Sequence, residues 1–222
     1  MKEKYEGAFF CGDFNPFHFG HIHVMAKASP YVQRIVLAVT YIAPDRAATI
    51  TPPILDRQDR YDLVRRYLDE GYLDDIEVAL ELDSFGSMEE FFQHIRERGY
   101  AGIAGTDIFN YNRWPEDHVC YRKFKYFVEF FTSGLIVVER PGFPPDQGIL
   151  GDFAQRGYDV TVVKGACESA AREIRRRITE GESITGLVPT PLERDIVTMY
   201  EGIRTDSFRR ALRQGADCPR PE

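Results

Sequence analysis

Residues 8–21 read Ala8-Phe9-Phe10-Cys11-Gly12-Asp13-Phe14-Asn15-Pro16-Phe17-His18-Phe19-Gly20-His21. The apolar run Ala8–Cys11 has the continuity of a buried strand, and Asn15-Pro16 ends it. Proline fixes its own φ and pushes the residue before it toward extended or turn backbone. A helix is then expected to open at Gly20. Gly12 and Gly20 have no Cβ, so a polyanion can approach the backbone there, and Gly20 also eases strand–helix packing. His18 and His21 lie three residues apart and share a face of the first helical turn. Backbone N–H groups, a positive helix end and two imidazoles are thereby expected around one point, which suits the phosphates of a nucleotide. Asp13 and His23 read as solvent-facing.

Outward from this stretch, apolar runs alternate with helical periods. Strands are expected over 7–13, 34–41, 75–81, 101–106, 134–139 and 159–163. Helices are expected over 20–28, 56–70, 87–98, 117–131, 146–156, 168–180, 189–201 and 206–214. Short apolar runs joined by helices indicate βαβ units. The fold class is therefore α/β: a Rossmann-like, doubly wound parallel sheet of five to six strands, with helices on both faces and a helical C-terminal segment. Ligands of such sheets gather at the carboxyl ends of the strands. Gly12–His21 follows the first strand, Gly105-Thr106-Asp107 the fourth and Arg140-Pro141-Gly142 the fifth. Residues 1–215 read as a single domain and 216–222 as a disordered tail. Ala43–Pro53 and 140–148 read as long loops of the kind that close over a ligand.

The 222 residues suffice for one α/β domain with a substantial core, and 43% hydrophobic with 28% charged residues is an ordinary globular balance. A net charge of −7 provides no positive field for a nucleic-acid polymer. The four cysteines (Cys11, Cys120, Cys167, Cys218) are scattered without a Cys-x-x-Cys pair. Neither a disulfide framework nor a metal site is expected, and a reducing cytoplasm fits. No apolar stretch reaches membrane length.

Gly-x-Phe-Asn-Pro-x-His-x-Gly-His at residues 12–21 resembles the signature of the nucleotidylyltransferase superfamily, with Asn15 where Asp is common. Ile103-Ala104-Gly105-Thr106-Asp107 resembles that family's Gly-x-Asp strand end, with Trp114 following. Val137-Val138-Glu139-Arg140-Pro141-Gly142 resembles its Arg-Pro-Gly element. Glu173-Ile174-Arg175, Ile184, Leu187-Val188-Pro189 and Tyr200 resemble the C-terminal segment of nicotinate and nicotinamide mononucleotide adenylyltransferases. The resemblance spans roughly residues 7–200. It implies attack by an acceptor's phosphate oxygen on the α-phosphorus of a nucleoside triphosphate, with release of pyrophosphate. It also implies Mg2+ carried mainly by the triphosphate and water.

The same resemblance assigns roles. His18 and His21 are the catalytic pair, with His21 the stabiliser of the pentacoordinate phosphorus. Gly12, Phe14, Asn15, Gly20, Gly105, Asp107, Arg172 and Arg175 are the nucleotide-binding set. Arg175 would hold β- and γ-oxygens bidentately, whereas Arg176 and Arg177 read as a solvated helix face. Asp107 either bonds a ribose or base or caps the following helix. Arg140 is an acceptor contact or a strand-end surface charge. Trp114, within an aromatic stretch that otherwise reads as packing, is the ring chosen for stacking an acceptor.

Two departures from the family pattern bear on substrates. Ser169-Ala170-Ala171-Arg172 lacks the usual Ser/Thr hydroxyls, so Arg172 replaces them or Ser169 is recruited. Thr51-Pro52-Pro53-Ile54 lacks a basic residue near the acceptor's phosphate, which Arg46 or Arg57 would supply. Three readings follow. One is a pyridine-mononucleotide adenylyltransferase. Another is a CTP-dependent cytidylyltransferase acting on a small phosphonate in natural-product biosynthesis. The third is a non-catalytic nucleotide-binding sensor. Relatives are often dimers or larger, so the resemblance leaves a homo-oligomer open.

Overall fold

In a computed structural model, the expected apolar runs become six strands of one sheet. The structure describes residues 5–40, 42, 54–70, 77–80, 88–130, 133–165 and 170–216. The strands are β1 Ala8–Gly12, β2 Arg34–Val39, β3 Glu77–Leu80, β4 Ala101–Gly105, β5 Leu135–Val138 and β6 Val160–Val163. Their order is β3-β2-β1-β4-β5-β6, and every neighbouring pair is parallel. This is the doubly wound Rossmann order. The chain leaves β1 toward one edge and returns to β4 on the other side. The loops after β1 and β4 therefore part and open a crevice between them.

The helices are α1 Phe19–Ala28, α2 Arg57–Asp69, α3 Met88–Glu97, the short α4 Thr106–Phe109, α5 Val119–Phe130, α6 Gln147–Gln155, α7 Ala171–Glu180 and α8 Thr190–Ala216. One expectation needs correcting. Residues 189–201 and 206–214, read as two helices, form the single helix α8. The intervening Gly202-Ile203-Arg204-Thr205 is only a mild propensity dip, which costs a helix too little to break it. Of the expected tail 216–222, Ala216 is the last residue of α8, while 217–222 and the loop 43–53 lie outside the described residues.

Strand alternation divides the core in two. Phe10, Leu37, Ile103 and Ile136 face one layer, built from Val24 and Met25 of α1, Leu63 and Val64 of α2, Ile174 of α7 and Leu192 and Ile196 of α8. Phe9, Val36, Ala104 and Val137 face the other, built from Ile95 of α3, Phe109 of α4, Val128 of α5 and Phe153 of α6. A strand buried on both faces needs no polar alternation, which is why β1 and β5 read as continuous apolar runs. The register sets Gly12 beside Val39 and Gly105 beside Val138, so these strands end level along one edge of the sheet.

Candidate active site

His18 is the N-cap of α1, and its Nδ1 accepts the Gly20 N–H at 2.9 Å. His21 answers in the opposite sense, its Nδ1 accepting the His18 N–H at 3.2 Å. Together they form a capping box made of two imidazoles. A backbone N–H can only donate, so both Nδ1 atoms must be unprotonated and each neutral ring carries its proton on Nε2. The ring centroids are 3.8 Å apart. His21 stacks on Phe17 at 5.5 Å and meets the edge of Phe14 at 4.8 Å. Burial among these rings lowers both histidines from their ordinary value. His21 is pushed down to about 3, chiefly by desolvation and then by the Arg140 charge. His18 is held well below the usual range by burial, then by His21, Arg140 and Arg175. At neutral pH the pair is therefore two neutral Nε2–H donors.

The box revises one expectation. The first-turn amides of α1 are not left open to an anion. Gly20 N–H is taken by His18, Phe19 N–H donates to Leu187 O at 3.1 Å, and His21 N–H donates to His18 O at 2.9 Å. The helix end acts through the imidazole of His18, which accepts at Nδ1 and is thereby polarised to donate at Nε2.

Arg175 lies in α7 beside Ile174, both buried, and its Nη1 donates to the main-chain carbonyl of Asn15. Arg176 and Arg177 turn outward and pair with Glu173, with Glu180 and Glu182 completing the set around Arg176. They form the solvated face that was expected. Arg172 is exposed in the first turn of α7 and lies near enough to repel the Arg175 charge. Arg46 and Ser169 fall outside the described residues, and Arg57 directs its Nε toward Val39 O at 3.4 Å.

Phe14 and Asn15 have different duties from those the sequence suggested. Phe14, at φ +44, is 1% exposed and backs His21, so any contact it offers a nucleotide is through its main chain. A Cβ on Gly12 would come within 2.9 Å of the Phe14 ring, so the glycine is what lets that ring lie across the strand end. Asn15 is also buried, its Oδ1 accepting from Leu55 N–H at 3.1 Å and from the Tyr200 hydroxyl at 2.8 Å. Its Nδ2 is buried and has no hydrogen-bond partner among the described residues. Asp13 is not simply solvent-facing: its carboxylate accepts the Thr40 hydroxyl at 2.7 Å. His23 lies outside the cluster, with Nε2 3.0 Å from Gly165 O.

Across the crevice, Arg140 pairs with Asp107 at 2.7 Å, and the Arg140 N–H donates to the Thr106 hydroxyl at 3.0 Å. The pair spans the ends of β4 and β5. A Cβ at Gly105 would meet Asp107 Oδ1 at 2.4 Å, so this strand end also depends on glycine. Trp114 is half-buried, with the Arg113 guanidinium over its ring at 3.7 Å and His118 parallel to it at 6.2 Å. Arg113 therefore already covers a face of the ring chosen for stacking an acceptor.

Sequence reasoning passed over Arg60, Thr40 and the structural part of Tyr200. Arg60 was findable, because positions 60, 63, 64 and 67 make the inward stripe of an amphipathic helix and a charge stands on it.

The fold agrees with the comparisons. The cytidylyltransferase-like family pattern matches residues 9–144, more than half of the chain, and the chain belongs to that family, within the nucleotidylyltransferase superfamily. It is 28% identical over 208 residues to the "Probable nicotinate-nucleotide adenylyltransferase" of Clostridium tetani, covering 85% of this chain and 93% of the relative. It is 23% identical over 197 residues to the protein of the same name from Caldicellulosiruptor saccharolyticus, covering 86% and 95%. A solved structure from Vibrio parahaemolyticus, named for the same activity, superposes with a TM-score of 0.50 at 17% identity, covering 89% of this chain and 95% of that one. At that identity the superposition speaks for the fold alone. Among the described residues no helix is long and apolar enough to cross a membrane.

Proposed function

We propose that the protein is an adenylyltransferase of pyridine mononucleotides. ATP binds across the end of β1, and a phosphate oxygen of nicotinate or nicotinamide mononucleotide attacks its α-phosphorus. One P–O bond forms as the bond to the bridging oxygen breaks, and pyrophosphate leaves. The attacking group is already an anion, so the protein supplies alignment and charge stabilisation and no nucleophile.

The observation that carries this reading is the imidazole capping box. It presents two neutral Nε2–H donors from adjacent rings, with Arg140 near enough to shift the protonation of both and Arg175 that of His18. Neutral donors held in one tautomer suit oxygens that gain charge in the transition state, because they need no reorganisation when the charge arrives. The donor set of imidazole and guanidinium N–H groups fits phosphate oxygens and does not fit a divalent cation. Among the described residues no group of three or more His, Cys, Asp or Glu is placed to hold a metal. In this reading Mg2+ arrives on the triphosphate as part of the substrate.

Arg113 seated on Trp114 favours a second reading, CTP-dependent transfer to a small phosphonate, since such an acceptor has no ring to stack. A pyrophosphate-release screen decides between them, crossing ATP and CTP with the two mononucleotides and a set of small phosphonates. Turnover with ATP and a mononucleotide is the expected result. Turnover confined to CTP with a phosphonate would replace the first reading with the second. Triphosphate binding without pyrophosphate from any pair would make the protein a sensor.

A further inference from the structure

Arg60 occupies a position where α2 is expected to bury an apolar side chain. It shares the inward face with Leu63, Val64 and Tyr67 and is only 2% exposed. Burying a guanidinium is costly unless its donors are satisfied. Here Nε donates to Leu55 O at 3.2 Å and Asp56 O at 3.1 Å, and Nη1 donates to Thr40 O at 2.9 Å and Asp13 O at 2.5 Å. All four acceptors are main-chain carbonyls, and among the described residues no carboxylate forms an ion pair with it.

Those carbonyls come from three separate segments. Asp13 begins the loop that leads from β1 to His18, Thr40 follows β2, and Leu55 and Asp56 enter α2. Other bonds join the same segments: Thr40 N–H donates to Gly12 O at 2.9 Å, the Thr40 hydroxyl to the Asp13 carboxylate at 2.7 Å and Leu55 N–H to Asn15 Oδ1 at 3.1 Å. Among the described residues, Arg60 is the donor that all three segments share. Its rigid fork donates from two separate nitrogens, Nε and Nη1, and so spans acceptors farther apart than the single ammonium nitrogen of a lysine can reach together.

We propose that Arg60 is a positioning residue for triphosphate binding, holding the Gly12–His18 backbone through the carbonyls of Asp13 and Thr40 without touching the ligand. The inference rests on reading the β1 loop as the triphosphate site. It is tested by calorimetric titration of the α,β-methylene triphosphates of adenosine and cytidine, with magnesium, into R60Q, R60K and the exposed-face control R65Q. Amide hydrogen exchange is followed at residues 13–18 in parallel.

The expected result is at least tenfold weaker binding in R60Q and at least fivefold in R60K, with R65Q within twofold of the parent. Exchange at 13–18 should be faster in both Arg60 variants. Should R60Q fail to fold, R60K decides. A folded Arg60 variant with a lowered melting temperature but affinity within twofold of the parent would reduce Arg60 to a structural residue and overturn the proposal. So would failure of both variants to fold. If the parent protein binds neither triphosphate, the functional reading itself fails. Exchange still judges the tether in that case, and unchanged rates at 13–18 in R60K would sink it independently.

Discussion

His18 has two jobs that substitution can separate. Its Nδ1 caps α1, and its Nε2–H is the proposed phosphate donor. Asparagine is a strong N-cap residue, so H18N should keep the melting temperature near that of the parent while turnover falls. H18A should also lose about 0.5–2 kcal/mol of stability with the cap. His21→Ala removes a donor expected to act on the reacting phosphorus. It should cost ~2.7–4 kcal/mol in kcat/KM, as loss of an oxyanion donor does. Pyrophosphate release with matched thermal unfolding separates these outcomes, and full turnover in H21A would remove His21 from the mechanism. The pairing of His18 with His21 was legible from spacing. The tautomer was not, because it is set by which backbone N–H each ring receives. Asn15 and Phe14 mark the same limit: their place in the motif was plain, but their burial depends on α8 and on the ring of His21.

Among the elements, the six strands and most helices could be read from apolar periodicity, since a parallel sheet covered on both faces leaves unbroken apolar runs. The short helix Thr106–Phe109 left no such trace, because four residues carry no period. The crevice wall beyond β4 and β5 is held by polar bonds that no pattern announces. Asp146 Oδ1 caps α6 through Ile149 N–H at 2.9 Å, its Oδ2 accepts from Asn112 at 2.9 Å, and its N–H donates to Asn110 Oδ1 at 2.8 Å. Asp146→Ala removes the cap and leaves Asn112 without this acceptor. It should lower stability by about 1–2 kcal/mol in denaturant unfolding. Acceptor KM should rise more than triphosphate KM, because this segment adjoins Arg113 and Trp114 and not the β1 loop. An equal rise in both would show that the two halves of the crevice are not independently built.

For the whole molecule, the depressed histidines make stability depend on pH with a definite sign. The unfolded chain takes up protons at its histidines near their ordinary value of 6.5, whereas folded His21 does so only at about 3, and His18 is likewise held low. Between those values the unfolded state binds more protons, so stability is present in full above about 6.5 and falls as pH drops toward 3. Asp146, held below its ordinary value of 3.8 by its hydrogen bonds, adds a loss of the same sign at the acid end of that window. The slope approaches about 1.4 kcal/mol per pH unit for each fully buried histidine. Denaturant unfolding from pH 7.5 to 4.5 should show this decline, and the H18N/H21N double variant should flatten it. An unchanged slope in that variant would place the linkage elsewhere.

The amino-acid order alone determined the parallel α/β architecture and the strand-to-helix turn at Gly12–His21, to which the proposed chemistry is assigned. Each of these depends on neighbours within a few residues: apolar runs, a proline stop, and two histidines one helical turn apart. Only the tertiary structure decided which carbonyls Arg60 meets, that Arg175 faces inward, that Tyr200 braces Asn15, and that Arg113 covers Trp114. Those outcomes depend on which carbonyls and rings meet across the sheet edge. Residues such as Asn15 and Tyr200, separated by 185 positions, are brought together by packing that no local pattern records.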